Sequence, residues 1–156
     1  MQKTLSIGGV KIETPVLLAP MAGYTDLAFR REVRALGGLG LAFTEMVNPR
    51  SFLIGKAKKI EQLLATSPDD RPLSYQIYGH EPHIMADGAK WLRDRGAELI
   101  DINMGCPQRK IAKRGAGAGL LKAPAGAIEL ARTIVSAVNI PVTAKIRLLP
   151  SQVESS

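Results

Sequence analysis

Leu99-Ile-Asp-Ile-Asn-Met-Gly105 alternates apolar and polar residues and then breaks at a glycine, with Cys106-Pro107 immediately beyond. A short run of this kind, bounded by a turn signal, reads as a buried strand rather than a piece of helix. Comparable runs stand on either side at Val16–Pro20, Gly40–Met46, Pro72–Gly79 and Val142–Leu148. Between them lie helical patterns. Asp26–Leu36 puts Phe29, Val33 and Leu36 on one stripe and Arg30, Arg31 and Arg34 off it, with Thr25 or Asp26 as N-cap. Glu81–Arg95 puts Met85, Gly88, Ala89 and Leu92 on one face and Asp87, Lys90 and Asp94 on the other. Ala125–Val138 stripes Ile128, Ala131, Ile134, Val135 and Val138, and Phe52–Leu64 is a weaker, lysine-loaded helix.

Strand–helix alternation implies a parallel sheet, either doubly wound or a TIM barrel. The turn after the first strand, Pro20-Met-Ala-Gly-Tyr-Thr-Asp26, lacks the G-x-G-x-x-G of a dinucleotide-binding fold. Strand starts at 16, 40, 72, 99 and 142 are spaced by 24, 32, 27 and 43 residues, and a TIM barrel of about 250 residues uses about 31 per unit. The expectation is an α/β fold: a partial TIM (β/α)8 barrel of about five β strands and four helices, truncated after the fifth strand. Residues 1–14 read as a lead-in hairpin turning at Gly8-Gly9, 15–148 as the front portion of the barrel, and 149–156 as a polar tail. Unpaired edges of such a sheet invite self-association.

Composition narrows the class. The chain has 156 residues, 46% hydrophobic, 22% charged and 4% aromatic, which suits one folded domain and excludes wholesale disorder. A single cysteine, Cys106, excludes an internal disulfide framework and a multi-cysteine zinc site, and no metal site is expected. There is no signal-peptide core and no apolar stretch long enough to span a membrane, so the cytoplasm is the expected location. Twenty-one Lys and Arg against 14 carboxylates leave a net charge of +7, which favours polyanionic partners or is simply a solvated basic surface.

In a barrel the chemistry lies at the C-terminal ends of the strands. The first end offers Pro20, Met21 and Ala22, small or apolar residues that let backbone approach a flat ligand, or that form a plain turn. The second offers Glu45, as a site carboxylate or an ion-pair partner. The third carries Gln76, a buried amide that needs partners from a heterocycle or from neighbouring strands. The fourth is richest. Asp101 and Asn103 share one face, Cys106 follows, and Gln108–Leu121 is a basic, glycine-rich segment suited to mobility and to phosphates, without a Walker ending. The fifth carries Lys145, with Arg147 facing the same side; a lysine in a buried strand is costly unless it meets an anion.

Taken together, Pro20-Met-Ala-Gly-Tyr-Thr-Asp26, Tyr75-Gln-Ile-Tyr-Gly79, Asp101-Ile-Asn-Met-Gly-Cys-Pro107, Gly115-Ala-Gly-Ala-Gly-Leu-Leu121 and Val142-Thr-Ala-Lys-Ile-Arg147 resemble the bacterial tRNA-dihydrouridine synthase family over nearly all of residues 5–148. The resemblance implies a flavoenzyme that uses FMN, with NADPH as reductant, to reduce the C5=C6 bond of uridines in tRNA. It implies Cys106 as the catalytic proton donor, and Pro20, Met21, Ala22, Gln76 and Lys145 as cofactor-binding. Asn103 is implied to contact the target base, with the basic residues Arg109, Lys110, Lys113 and Arg114 beside the site holding RNA backbone. An ordinary thiol is mostly protonated at neutral pH and can act as a general acid. Family chains are about twice this length. They complete the barrel, bind the FMN phosphate on its late loops and add a helical tRNA-gripping domain. Residues 149–156 resemble nothing in the family. The competing expectation is a truncated, inactive remnant with nonspecific RNA affinity. A flavin barrel acting on free pyrimidines is a third reading, against which the basic segment argues.

Overall fold

The computed structural model describes residues 5–55 and 58–148. It opens with an antiparallel hairpin, β1 (Leu5–Ile7) and β2 (Val10–Ile12), turning at Gly8 with φ +59°. A five-stranded parallel sheet follows in the order β3 (Leu17–Leu18), β4 (Leu41–Phe43), β5 (Leu73–Ile77), β6 (Leu99–Asn103) and β7 (Val142–Lys145). Chain order equals strand order, and the sheet curls into a half-barrel with helices outside. The expected partial TIM barrel is therefore the observed fold.

The two faces of the central strands divide by alternation. Leu73, Tyr75, Ile77, Ile100 and Ile102 join the core shared with the outer helices. Gln76 and Asp101 are register partners on the opposite face, inside the curl, with Asn103 one row further toward the strand ends. At the lower end of the curl, Ile12 of the hairpin packs on Leu41 and Leu99, with Ile7, Val10 and Phe43 around them. Gly40 permits this approach, because a Cβ there would lie 2.0 Å from the Thr14 carbonyl oxygen and 2.6 Å from Ile12 Cγ2.

The helices are α1 (Leu27–Ala35), α2 (Pro49–Leu53), α3 (Lys58–Leu64), α4 (Pro82–Arg93), α5 (Arg109–Ala112) and α6 (Pro124–Ala137), with a 3-10 helix at Gly117–Lys122. That exceeds the four expected. The pattern read as one helix over 52–64 resolves into α2 and α3. Asn48 caps the Arg50 N–H and Pro49 starts α2 earlier than expected, and α2 ends two residues before Gly55. The basic, glycine-rich segment read as a loop forms α5 and the 3-10 turn.

Helix α4 buries the predicted Met85, Gly88, Ala89 and Leu92. Two other predicted stripes are corrected. In α1, capped by Asp26, it is Arg30 that is fully buried, while Phe29 is exposed and Leu36 is 88% exposed. The cause is Asp70: Arg30 Nε and Nη2 donate to its Oδ2 at 2.9 and 2.7 Å, and Arg34 Nε donates to its Oδ1 at 3.0 Å. The remaining Arg30 donors reach the Thr25 and Ala65 carbonyls, both at 2.7 Å. A buried guanidinium with an ion partner and further acceptors is the arrangement under which burying a charge is tolerable. In α6 the predicted Ala131 and Ile134, with Val138 at the C-cap, do pack on the core, but Ala127 and Leu130 join them and Ile128 and Val135 face out, because the helix packs against α4.

The terminal strands also depart from expectation. Val16 and Leu17 are exposed, at 55% and 44%, and the last two residues of β7 are exposed as well. β3 and β7 are the edges of the described sheet, so each lacks a neighbour on one side.

Candidate functional site

One cavity, about 260 Å³, opens at the C-terminal ends of the strands. Five strand ends contribute to it: Pro20 and Ala22 after β3, Met46 after β4, Gln76 on β5, Asn103 on β6 followed by Gly105, Cys106, Pro107 and Gln108, and Lys145 on β7 followed by Arg147. Register explains the convergence. Asn103 pairs with Lys145 across β6 and β7, and Gln76 lies one row below.

The turn after β3 is held from three directions. The Met21 N–H donates to Thr25 Oγ1 at 3.0 Å, and the Tyr24 and Thr25 N–H groups donate to the Met21 carbonyl, both at 3.0 Å. The Gly23 N–H donates to Glu45 Oε2 at 2.5 Å, with Gly23 at φ +80°, where a side chain would be strained. Arg30 grips the Thr25 carbonyl from the core. Glu45, left open between site carboxylate and ion-pair partner, is therefore a brace for this turn. It does not line the cavity.

The floor of the cavity is a row of buried amides. Gln76 Nε2 donates to Asp101 Oδ2 at 2.6 Å, and Asn103 Nδ2 donates to Gln76 Oε1 at 2.9 Å. Thr143 Oγ1 donates to Asp101 Oδ1 at 2.6 Å. Asn103 Oδ1 accepts from the Cys106 N–H at 2.9 Å and the Gly105 N–H at 3.2 Å. Burial pushes the Asp101 carboxyl above its ordinary range, opposed by the Gln76 and Thr143 hydrogen bonds and by the charge of Lys145. The Gln76 backbone N–H is satisfied by Thr44 Oγ1 at 3.1 Å. Of the two openings for a buried glutamine, ties to neighbouring strands are thus realised.

Cys106 is half-buried at the rim. Its carbonyl accepts from the Ala118 N–H at 3.0 Å. Gly117, at φ +56°, packs so closely that a Cβ there would lie 2.8 Å from the Cys106 carbonyl oxygen and 3.2 Å from Cys106 Cβ. The glycine-rich segment thus backs the thiol-bearing residue. The two cations at the other rim differ. Arg147 Nε donates to the Gly105 carbonyl at 2.6 Å, whereas Lys145 is exposed and its ammonium has no hydrogen-bond or ion-pair partner among the described residues, while its carbonyl accepts from the Met104 N–H.

Of the residues singled out in the sequence, Pro20, Ala22, Gln76, Asn103, Cys106 and Lys145 meet in this cavity. Met21 lies in the same turn but does not line it. Arg109 and Lys110 on α5, with Lys113 and Arg114 just beyond, are exposed and lie outside it, directly after the lining residue Gln108. Met46 was missed, although the strand-end rule that drew attention to Glu45 points equally to its neighbour. Its Sδ lies 3.4 Å from Asn103 Nδ2. Among the described residues there is no cluster of ligating side chains that could hold a metal, and no helix long and apolar enough to cross a membrane.

The family model for dihydrouridine synthase matches residues 17–154. A probable tRNA-dihydrouridine synthase of Synechocystis is 40% identical over 146 residues, which is 94% of this chain and 41% of that protein. A probable tRNA-dihydrouridine synthase of Rhodobacter capsulatus is 44% identical over 145 residues, 93% of this chain and 44% of that protein. A tRNA-dihydrouridine synthase B of Vibrio parahaemolyticus is 39% identical over 145 residues, 92% of this chain and 44% of that protein. The chain spans less than half the length of these relatives.

Proposed function

The chain belongs to the dihydrouridine synthase family, and from that premise we propose that it forms the front half of the catalytic barrel of an FMN-dependent, NADPH-driven enzyme reducing uridine to dihydrouridine in tRNA. The observation that carries this reading is the single cavity that gathers Pro20, Ala22, Gln76, Asn103, Cys106 and Lys145 from four strand ends.

The residues fit a flavin ring. Pro20 and Ala22 form a low wall suited to a flat face, the two amides offer hydrogen-bonding edges, and Lys145 brings a cation without a protein partner among the described residues. At about 260 Å³ the cavity falls below the roughly 300–1,000 Å³ of complete ligand sites. It suits the ring rather than the whole nucleotide. A flavin held by these residues would supply the hydride for C6 of the base, with NADPH as the source of its electrons. Lys145 favours an electron-rich ring by placing positive charge beside it. Asn103 orients the uracil edge, and the Cys106 thiol gives a proton to C5 and regains one from solvent. The uracil must leave its stack to enter. Arg109, Lys110, Lys113 and Arg114 hold RNA phosphates, with affinity that falls as salt rises. The working location of such a protein is the cytoplasm, where tRNA is its partner.

The test is a visible spectrum of the purified protein after gel filtration, followed by an NADPH-dependent tRNA reduction assay. A co-eluting flavin spectrum and dihydrouridine formation are expected, with Cys106→Ala keeping the flavin and losing reduction. A colourless protein that binds RNA only nonspecifically would overturn the reading for this chain in favour of an inactive remnant. Reduction of free pyrimidines but not tRNA would reassign the substrate.

A further inference from the structure

Asp101 lies below the cavity without lining it, and it is 2% exposed. Two donors end on its carboxylate, Gln76 Nε2 and Thr143 Oγ1, each at 2.6 Å. The three residues form one row across β5, β6 and β7. An amide has one accepting and one donating end, so the first bond dictates those that follow. An acceptor beneath Gln76 turns its NH2 group down and its carbonyl toward Asn103. That carbonyl draws the Asn103 NH2 group, at 2.9 Å, and leaves Asn103 Oδ1 to receive the Cys106 and Gly105 N–H groups. If either amide were reversed, two donors or two acceptors would face each other in a buried site, which costs more than the bond is worth.

We infer that Asp101 is a positioning residue that, acting through Gln76 and Asn103, sets the orientation of both amides and seats the backbone of Cys106. Thr143 completes the device by occupying the other carboxylate oxygen. The acceptor toward Gln76 persists in either protonation state, because a neutral carboxyl can turn its hydroxyl toward Thr143. The consequence for catalysis rests on the reading of Cys106 as proton donor; the hydrogen-bond chain does not.

Asp101→Ala removes the acceptor. Asp101→Asn keeps it, since the asparagine carbonyl accepts from Gln76 while its NH2 group donates to Thr143 Oγ1. Two readouts on the full chain follow the seat of Cys106: the alkylation rate of this sole cysteine by iodoacetamide, and hydrogen exchange of its backbone amide. Asp101→Ala is expected to change each by about three- to tenfold, the effect of one lost net hydrogen bond. Asp101→Asn should restore both to within about twofold, well inside that effect. Leu130→Ala, a cavity in the outer core, should move neither. If Asp101→Ala does not fold, Asp101→Leu takes its place, because leucine fills the space of the carboxylate and offers Gln76 no acceptor. Unchanged readouts in the folded variant would overturn the inference. So would an Asn variant as disturbed as the Ala variant, or an equal response in Leu130→Ala. Uridine reduction is assayed separately; its absence from the parent would refute the proposed activity and leave the thiol measurements to judge Asp101.

Discussion

Strands β5 and β6 are buried at every residue, whereas β3 is a two-residue edge with Leu17 exposed and β7 becomes exposed along its second half. The cavity draws on both kinds of strand. The central pair supplies amides locked by several hydrogen bonds each, and the edges supply Pro20, Ala22 and Lys145. The difference teaches that this site has a rigid floor and two walls anchored by other means. On the β3 side the anchor is Arg30, tied to Asp70 and to the Thr25 carbonyl, together with Glu45. On the β7 side it is register with β6 and the bond from Arg147 to Gly105.

The largest effect should come from cutting the β3-side anchor. Asp70→Ala leaves Arg30 buried and unpaired, and is expected to cost about 3–5 kcal/mol in urea unfolding. A loss under about 1 kcal/mol, the range of exposed ion pairs, would show that this edge is held by something else. Next, Ile100→Ala in the centre should cost about 2–5 kcal/mol, against about 0.5–1 kcal/mol for Leu17→Ala at the edge. Equal costs would erase the distinction between centre and edge. Gly117→Ala is smaller, at about 1–3 kcal/mol for a strained backbone pressed against Cys106. It should also alter Cys106 alkylation, which a purely local strain would leave alone.

The smallest and sharpest contrast is in pH. The folded chain holds the Asp101 proton to higher pH than the unfolded chain, because burial raises its carboxyl. The associated stability is complete below the unfolded aspartate pKa and is lost as pH rises through the raised value. The exposed Glu81 carboxyl is held low by its hydrogen bond and ion pair with Arg50. Its contribution is present above the unfolded glutamate pKa and is lost as pH falls through the lowered value. Unfolding of the parent, Asp101→Asn and Glu81→Gln between about pH 3 and 7 should show opposite slopes. The parent's advantage over Asp101→Asn should shrink as pH rises, and its advantage over Glu81→Gln should grow. Parallel slopes would place both groups in the same environment.

Much of this was legible before the structure. Strand–helix alternation, the hairpin at Gly8 and the amphipathic pattern of α4 are local, and strand-end position alone pointed to Gln76, Asn103, Cys106 and Lys145. The α1 stripe was misread, and so was the Ile128 and Val135 part of the α6 stripe, whose Ala131, Ile134 and Val138 do pack on the core, because a helix's buried face is chosen by its neighbours. Asp70 lies 40 residues from Arg30 along the chain, and no periodicity within 26–36 announces it. The bracing role of Glu45 escaped for the same reason, since it is defined by the Gly23 N–H across the barrel mouth; Met46, by contrast, stood at a strand end that the sequence already marked.

Periodicity and turn residues therefore determine a parallel, curled α/β sheet and the row of polar residues on its inner face, because side-chain alternation is a property of each strand alone. Only the tertiary structure decided which of those residues share hydrogen bonds, that Asp101 lies beneath the cavity rather than in it, and that a buried arginine holds the first turn. Register between strands and partners distant in sequence are set by packing of the whole, and a single segment carries no record of them.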